Sequence, residues 1–242
     1  PLTRAQARHA PVFVVSKPEF ATTGFTRATT DGAQFVGVTD LDERVARAGA
    51  LAAQHPGSFT YLYVPELDGI GHRAGWESGA WTEGLERVDA SLRDLVRAAP
   101  QAGVLITADH GMIDVPASRH VLLDDGDPRL EGVTDIAGEP RMLHLYTEPQ
   151  AADAVAGVWR AADAERAWVM TRDEAIAAGV FGSVRPTVAD RIGDVLVAAR
   201  ARVAYYDNRL DDRSPQRMVG QHGSLTLEES VVPLLRAGAY AV

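Results

Sequence analysis

Five side chains in this 242-residue chain have types and settings suited to holding metal ions. Asp68 and His72 stand four apart in Pro65-Glu66-Leu67-Asp68-Gly69-Ile70-Gly71-His72. If the backbone coils there, both project to one side and can share a cation. Alone, the spacing is weak: it equally suits an Asp that caps the next helix and a solvated His. Asp109-His110-Gly111 is stronger, because it follows directly on the apolar run Val104-Leu105-Ile106-Thr107. That places two hard or borderline ligands at a strand end. Gly111 fits a spot where bulk would block a ligand. His222, in Gly220-Gln221-His222-Gly223-Ser224, reads alone as an ordinary loop His. As the fifth member it completes a set of two Asp and three His. The chain has no cysteine, so thiolate ligands are excluded. A nitrogen and oxygen donor set of this kind suits zinc, or else manganese or iron.

These residues need elements to position them. Phe59 to Val64 is a β-rich run, and residues 76–98 follow helical spacing, with Leu85, Val88, Leu92, Leu95 and Val96 on one face. Pro100 stands just past the end of that helix. With the strand at 104–107 this makes a β–α–β unit, and apolar strands of this kind predict a buried, largely parallel sheet. In such a sheet ligands bind at the carboxyl ends of strands, where both Asp68–His72 and Asp109–His110 fall. Further strands are predicted at 11–15, 142–146, 168–170 and 194–198, and helices at 42–54 and 151–162. Thr171 with Glu174 has the form of a capping box. Residues 207–220 read as a polar surface loop. With no internal repeat and no linker, the expectation is one domain or most of one over 1–242.

Composition narrows the function. A hydrophobic fraction of 46% and a charged fraction of 24% are those of an ordinary globular chain. No apolar run is long enough to span a membrane. The net charge of −9, with Lys17 the lone Lys, disfavours non-specific nucleic-acid binding, which needs a basic face. It does not exclude phosphate substrates, because divalent cations supply the local positive field. The sequence opens at Pro1 without a Met and reads like the interior of a longer protein, so the compartment stays open.

The order of motifs is Asp68-x-x-x-His72, then a strand ending Thr107-Ala108-Asp109-His110-Gly111-Met112, then Gly220-Gln221-His222-Gly223. It resembles the type I phosphodiesterase and nucleotide pyrophosphatase family of the alkaline phosphatase superfamily. Ala137-Gly138-Glu139-Pro140-Arg141 and the stretch to Leu235 share in the resemblance. It implies an α/β, three-layer sandwich with helices on both faces of a mainly parallel sheet. It also implies two divalent cations: Asp68, His72 and His222 match the ligands of one, Asp109 and His110 two ligands of the other. The substrate implied is a small phosphodiester or pyrophosphate, as in a nucleotide. A phosphomonoesterase, phosphonate hydrolase or sulfatase of the same superfamily, or a metal-binding fragment without turnover, are the alternatives. The family's nucleophile is an N-terminal Thr or Ser, and no residue here matches it. Thr22 and Thr23 are the nearest, and their setting resembles a substrate-side loop instead. The chain therefore resembles the C-terminal part of a family member.

The other residues carry blander expectations. His144 reads as a satisfied core His, with support of a ligand or a place facing the substrate the alternative, and His9, His55 and His120 read as surface residues. Glu139 and Arg141 suit either a ligand-orienting role or a structural ion pair. Tyr205 and Tyr206 read as strand packing, with base stacking the alternative.

Overall fold

Along the chain, strands and short helices alternate in the order the apolar runs dictate. They are β1 (Val12–Ser16), α1 (Gly24–Thr30), β2 (Gln34–Gly37), α2 (Leu41–Gln54), β3 (Phe59–Leu62), α3 (Glu66–Ala74), α4 (Gly79–Ala98) and β4 (Gly103–Thr107). There follow β5 (Ile113–Asp114), β6 (His120–Leu123), β7 (Val133–Glu139), β8 (Met142–Thr147), α5 (Ala152–Asp163), β9 (Ala167–Thr171), α6 (Arg172–Ala177) and α7 (Pro186–Ala189). The series ends with β10 (Val195–Ala199), β11 (Ala204–Asp207), β12 (Gly220–Gln221), α8 (Leu227–Ser230) and β13 (Leu234–Gly238). The structure, a computed structural model, describes residues 10–241, so His9 lies outside the described residues. Two units emerge: one from residues up to 70, 79–108 and 233 onward, the other from 71–78 and 109–232.

In the first unit β1 is buried along its whole length and pairs parallel with β2 on one side and β3 on the other. Helix α2 starts where the Asp40 carboxylate accepts the amides of Asp42 (2.9 Å) and Glu43 (3.1 Å). Its Val45, Ala48 and Leu51 are buried, with Phe13 and Val15 packed against Ala48 and Leu51. Helix α4 adds Val88, with Leu92 and Leu95 beside it. Leu85, predicted on the same face, is 42% exposed. The predicted β–α–β pairing is also corrected in part. Strand β4 pairs antiparallel with β13, and its residues alternate between half-buried and exposed. Among the described residues no pairing joins β4 to β3.

In the second unit β7, β8, β10 and β9 form an antiparallel sheet in that order. All five residues of β10 are buried. Helix α5 lays Val155, Ala156 and Trp159 on Leu145, Val195 and Val197. Burying each large apolar side chain of this kind contributes about 1.5–3 kcal/mol. The Thr171–Glu174 capping box is present and opens α6. Strand β6 pairs parallel with β11, and the short β5 pairs antiparallel with β12. The architecture is the α/β class expected, with parallel pairing in β2–β1–β3 and β6–β11. Among the described residues no helix is long and apolar enough to cross a membrane.

Candidate metal centre

The segment 66–74 does coil, despite its two internal glycines, and Asp68 and His72 lie one turn apart on α3. Gly75 ends the helix at φ +83°, a conformation that favours glycine. The Asp114 carboxylate then takes the amides of Trp76 (2.9 Å) and Glu77 (3.2 Å), fixing the turn. A side chain at Gly75 would overlap that carboxylate. His72 itself is held at two points. Its carbonyl accepts from Val219 N (2.8 Å), and its ring Nδ1 lies 2.8 Å from Gly220 O. A carbonyl only accepts, so Nδ1 carries the proton and Nε2 carries the lone pair.

His110 repeats the device. Its Nδ1 donates to Gly111 O at 2.8 Å, again leaving the lone pair on Nε2. Asp109 stands beside it, its Oδ1 3.7 Å from His110 Nε2 and its side chain 71% exposed. Gly111 N donates to Glu229 O at 2.7 Å. A Cβ on Gly111 would overlap the Glu228 carbonyl oxygen. This corrects the expected reason for that glycine: it makes room for the backbone of 228–229, not for a ligand.

His222 sits between β12 and α8. Its ring centroid is 3.6 Å from that of His110, with 16° between the planes, and 5.1 Å from that of His72. Ring nitrogens of His110 and His222 approach within 4.8 Å. All three histidines are half-buried. Three imidazoles drawn from sequence positions 150 residues apart thus form one cluster, Asp109 stands at its edge, and Asp68 precedes His72 by one turn of α3.

The donor set fits a divalent cation. Two of the imidazoles have their outer N–H committed to a backbone carbonyl, the arrangement that fixes a metal-ligating tautomer. Neutral imidazole and ionised carboxylate are donors that zinc accepts.

Two contributors were not legible in the motifs. Asp114 fixes the turn after α3, and Glu229 holds the neighbours of His110 and His222. Glu229 has one signal: Thr226-x-x-Glu229 has capping-box spacing at the start of α8. That reading gives a surface role, whereas Glu229 is 2% exposed.

The remaining residues resolve as follows. Arg141 is buried and pairs with Glu229, so the ion-pair alternative holds, with a partner other than the exposed Glu139. His144 accepts from Gly193 N (3.1 Å), and burial lowers its pKa, as befits a core His. His55 is exposed, its ring 5.1 Å from Phe13. His120, expected at the surface, is half-buried: its ring packs 4.8 Å from Tyr206, and burial lowers its pKa. Tyr205 donates to Asp163 (3.0 Å) and Tyr206 to Pro215 O (3.2 Å), so both are packed in β11. Thr23 caps α1, accepting from Thr26 N (3.2 Å), and Thr22 is exposed.

Comparison with known proteins follows the same line. The family model described as type I phosphodiesterase / nucleotide pyrophosphatase matches residues 4–225. No curated protein matches significantly. Among solved structures, human ectonucleotide pyrophosphatase/phosphodiesterase 5 superposes with a TM-score of 0.75 at 18% identity, covering 98% of this chain and 62% of that one. The murine counterpart, inactive and in complex with AMP, gives 0.73 at 18%, with the same coverage. Phosphonoacetate hydrolase from Sinorhizobium meliloti 1021, bound to phosphonoacetate, gives 0.65 at 17%, covering 97% of this chain and 67% of that one. At these identities the likeness is one of fold. The chain spans 62% of the length of the two pyrophosphatase/phosphodiesterase structures. Motif order, fold and family model agree: the chain belongs to the type I phosphodiesterase / nucleotide pyrophosphatase family.

Proposed function

We propose that this chain supplies the metal-binding part of an enzyme that hydrolyses phosphodiester or pyrophosphate bonds in small, nucleotide-like substrates. The observation that carries the reading is the cluster of His72, His110 and His222, with two Nδ1–H groups tied to backbone carbonyls. Following the family resemblance, Asp68, His72 and His222 would hold one cation, and Asp109 with His110 the other, both most simply zinc. When bound, such ions activate a hydroxyl nucleophile and neutralise charge on the phosphoryl oxygens. Of the chain's own residues, His72 and His110 have Nδ1 held by the carbonyls of Gly220 and Gly111, which prevents ring rotation. No Thr or Ser of this chain is assigned as nucleophile. The net charge of −9 fits a small anionic substrate steered by bound cations, not a nucleic acid.

The test is metal analysis of the whole protein combined with nitrophenol release from bis- and mono-nitrophenyl phosphate. Bound metal with preferential cleavage of the diester is the expected result. Preference for the monoester would move the reading to a phosphomonoesterase. Phosphate release from phosphonoacetate alone would make it a phosphonate hydrolase. Metal without turnover would leave a binder, and no bound metal would end the proposal.

A further inference from the structure

Glu229 touches both histidine-bearing loops at once. Its backbone carbonyl accepts from Gly111 N, next to His110 (2.7 Å). Its carboxylate accepts from Ser224 N, two residues beyond His222 (3.0 Å). Ser224 is pinned a second time through its hydroxyl to Ala199 O (2.6 Å). The carboxylate is in turn gripped by Arg141, whose Nε donates to Oε1 (2.8 Å) and whose Nη2 donates to Oε2 (2.7 Å). Thr226 Oγ1 donates to Oε2 (2.5 Å). The guanidinium spends its other donors on Ala201 O, Val203 O and Ala199 O. All five Arg donors and all four carboxylate acceptor positions are thereby used. Burial works to raise the Glu229 pKa, but Arg141, Thr226 and the Ser224 amide outweigh it and hold the carboxyl below its usual value.

A buried ion pair is a poor way to gain stability, since an apolar pair of equal volume serves as well or better. What a fully bonded pair provides is position. We propose that the Arg141–Glu229 pair is a positioning device for the metal centre, setting the separation and orientation of His110 and His222. This rests on the metal-site reading above. Neither residue touches a reacting atom in it. Their effect passes through Gly111 and Ser224.

The test compares two buried carboxylates of the same unit in the full chain. Asp163 is as buried as Glu229 and is bonded by Arg129, Arg166 and Tyr205, but none of these bonds reaches residues 109–112 or 219–224. Zinc affinity is measured by competition with a chromophoric chelator for wild type, Glu229→Gln and Asp163→Asn, alongside each Tm without metal. The expected result is that both variants lose Tm, while only Glu229→Gln weakens zinc binding, by about 10–100-fold. If Glu229→Gln does not fold, Thr226→Val removes a single bond to Oε2 and is expected to give a smaller loss of affinity in the same direction. Zinc affinity that is unchanged in the folded Glu229 variant, or unchanged in Thr226→Val, or that falls equally in Asp163→Asn, overturns the positioning role. A wild type that binds no zinc overturns the metal site itself, a separable outcome.

Discussion

Replacing Gly111 with Ala probes the packing that holds His110. Gly111 does not adopt a left-handed φ, so the backbone conformation itself tolerates Ala. The obstacle is space. The new Cβ would overlap the Glu228 carbonyl oxygen and stand 3.0 Å from its carbon and 3.4 Å from Glu229 Cα. All three atoms are backbone, so no side chain can swing aside. Relief requires the 110–112 and 228–229 segments to part, which breaks the 2.7 Å bond from Gly111 N to Glu229 O. Overpacking costs about 1–3 kcal/mol, and the lost hydrogen bond costs about 0.5–1.5 kcal/mol. Against this, Ala stiffens the unfolded chain and returns about 0.4–1 kcal/mol. The net loss is about 0.5–4 kcal/mol by these figures, with a midpoint of about 2 kcal/mol, which for a chain of this size lowers Tm by about 4–8 °C. Gly157 on α5 is the control, since nothing lies within 4 Å of a Cβ there. Gly157→Ala is expected to raise stability by about 0.5–1 kcal/mol. Thermal unfolding of the two variants against wild type reads the opposite signs directly. An unchanged Tm in Gly111→Ala would refute the claim that this glycine exists for close backbone approach.

Three other outcomes are expected. His222→Ala should reduce the bound metal by one equivalent with far-ultraviolet circular dichroism unchanged, because Gly220, Gln221 and Ser224 hold the loop through bonds of their own. Unfolding with metal content preserved would show His222 to be structural. Thr171→Ala removes the hydroxyl that accepts from Glu174 N (3.3 Å) and should cost about 1 kcal/mol in a urea titration, an unchanged midpoint showing the box to be idle. The third concerns pH. The folded Glu229 carboxyl titrates below its ordinary 4.5, so the unfolded chain takes up the proton first. Its contribution to stability is therefore complete above about pH 4.5 and is lost as pH falls through the folded value. Urea midpoints from pH 6 to 3 should fall more steeply in wild type than in Glu229→Gln, and parallel curves would contradict the charge assignment.

The candidate metal-binding residues stand out in the sequence because their signals are local. Asp109-His110-Gly111 follows an apolar strand, and Asp68 and His72 keep helical spacing even though Gly69 and Gly71 weaken the helix between them. The Thr171–Glu174 box is likewise a four-residue signal, and the structure forms it. Pairing is a different matter. Strand β4 looks buried from its own five residues, but its exposure is decided by β13, 130 positions later, and the antiparallel order β7–β8–β10–β9 depends on partners that no single window contains. Leu85 misleads for a related reason: helical periodicity gives the face of α4 but not which of its residues a partner covers.

Glu229 shows why the supporting residues of a site are harder to find than its ligands. In sequence it is the second of two Glu in an acidic turn, indistinguishable in type from Glu228, which is exposed. Its burial is set by Arg141, Ser224 and Thr226, and its bearing on the site by Gly111, a set spread over more than a hundred residues. A metal ligand must have a particular donor atom, so its type, taken with its motif, marks it as a candidate. A positioning carboxylate needs only to be surrounded by donors, and that property belongs to the fold. The same reasoning explains Gly111, whose role is the absence of a side chain against the carbonyl of residue 228, a contact that only the folded chain creates.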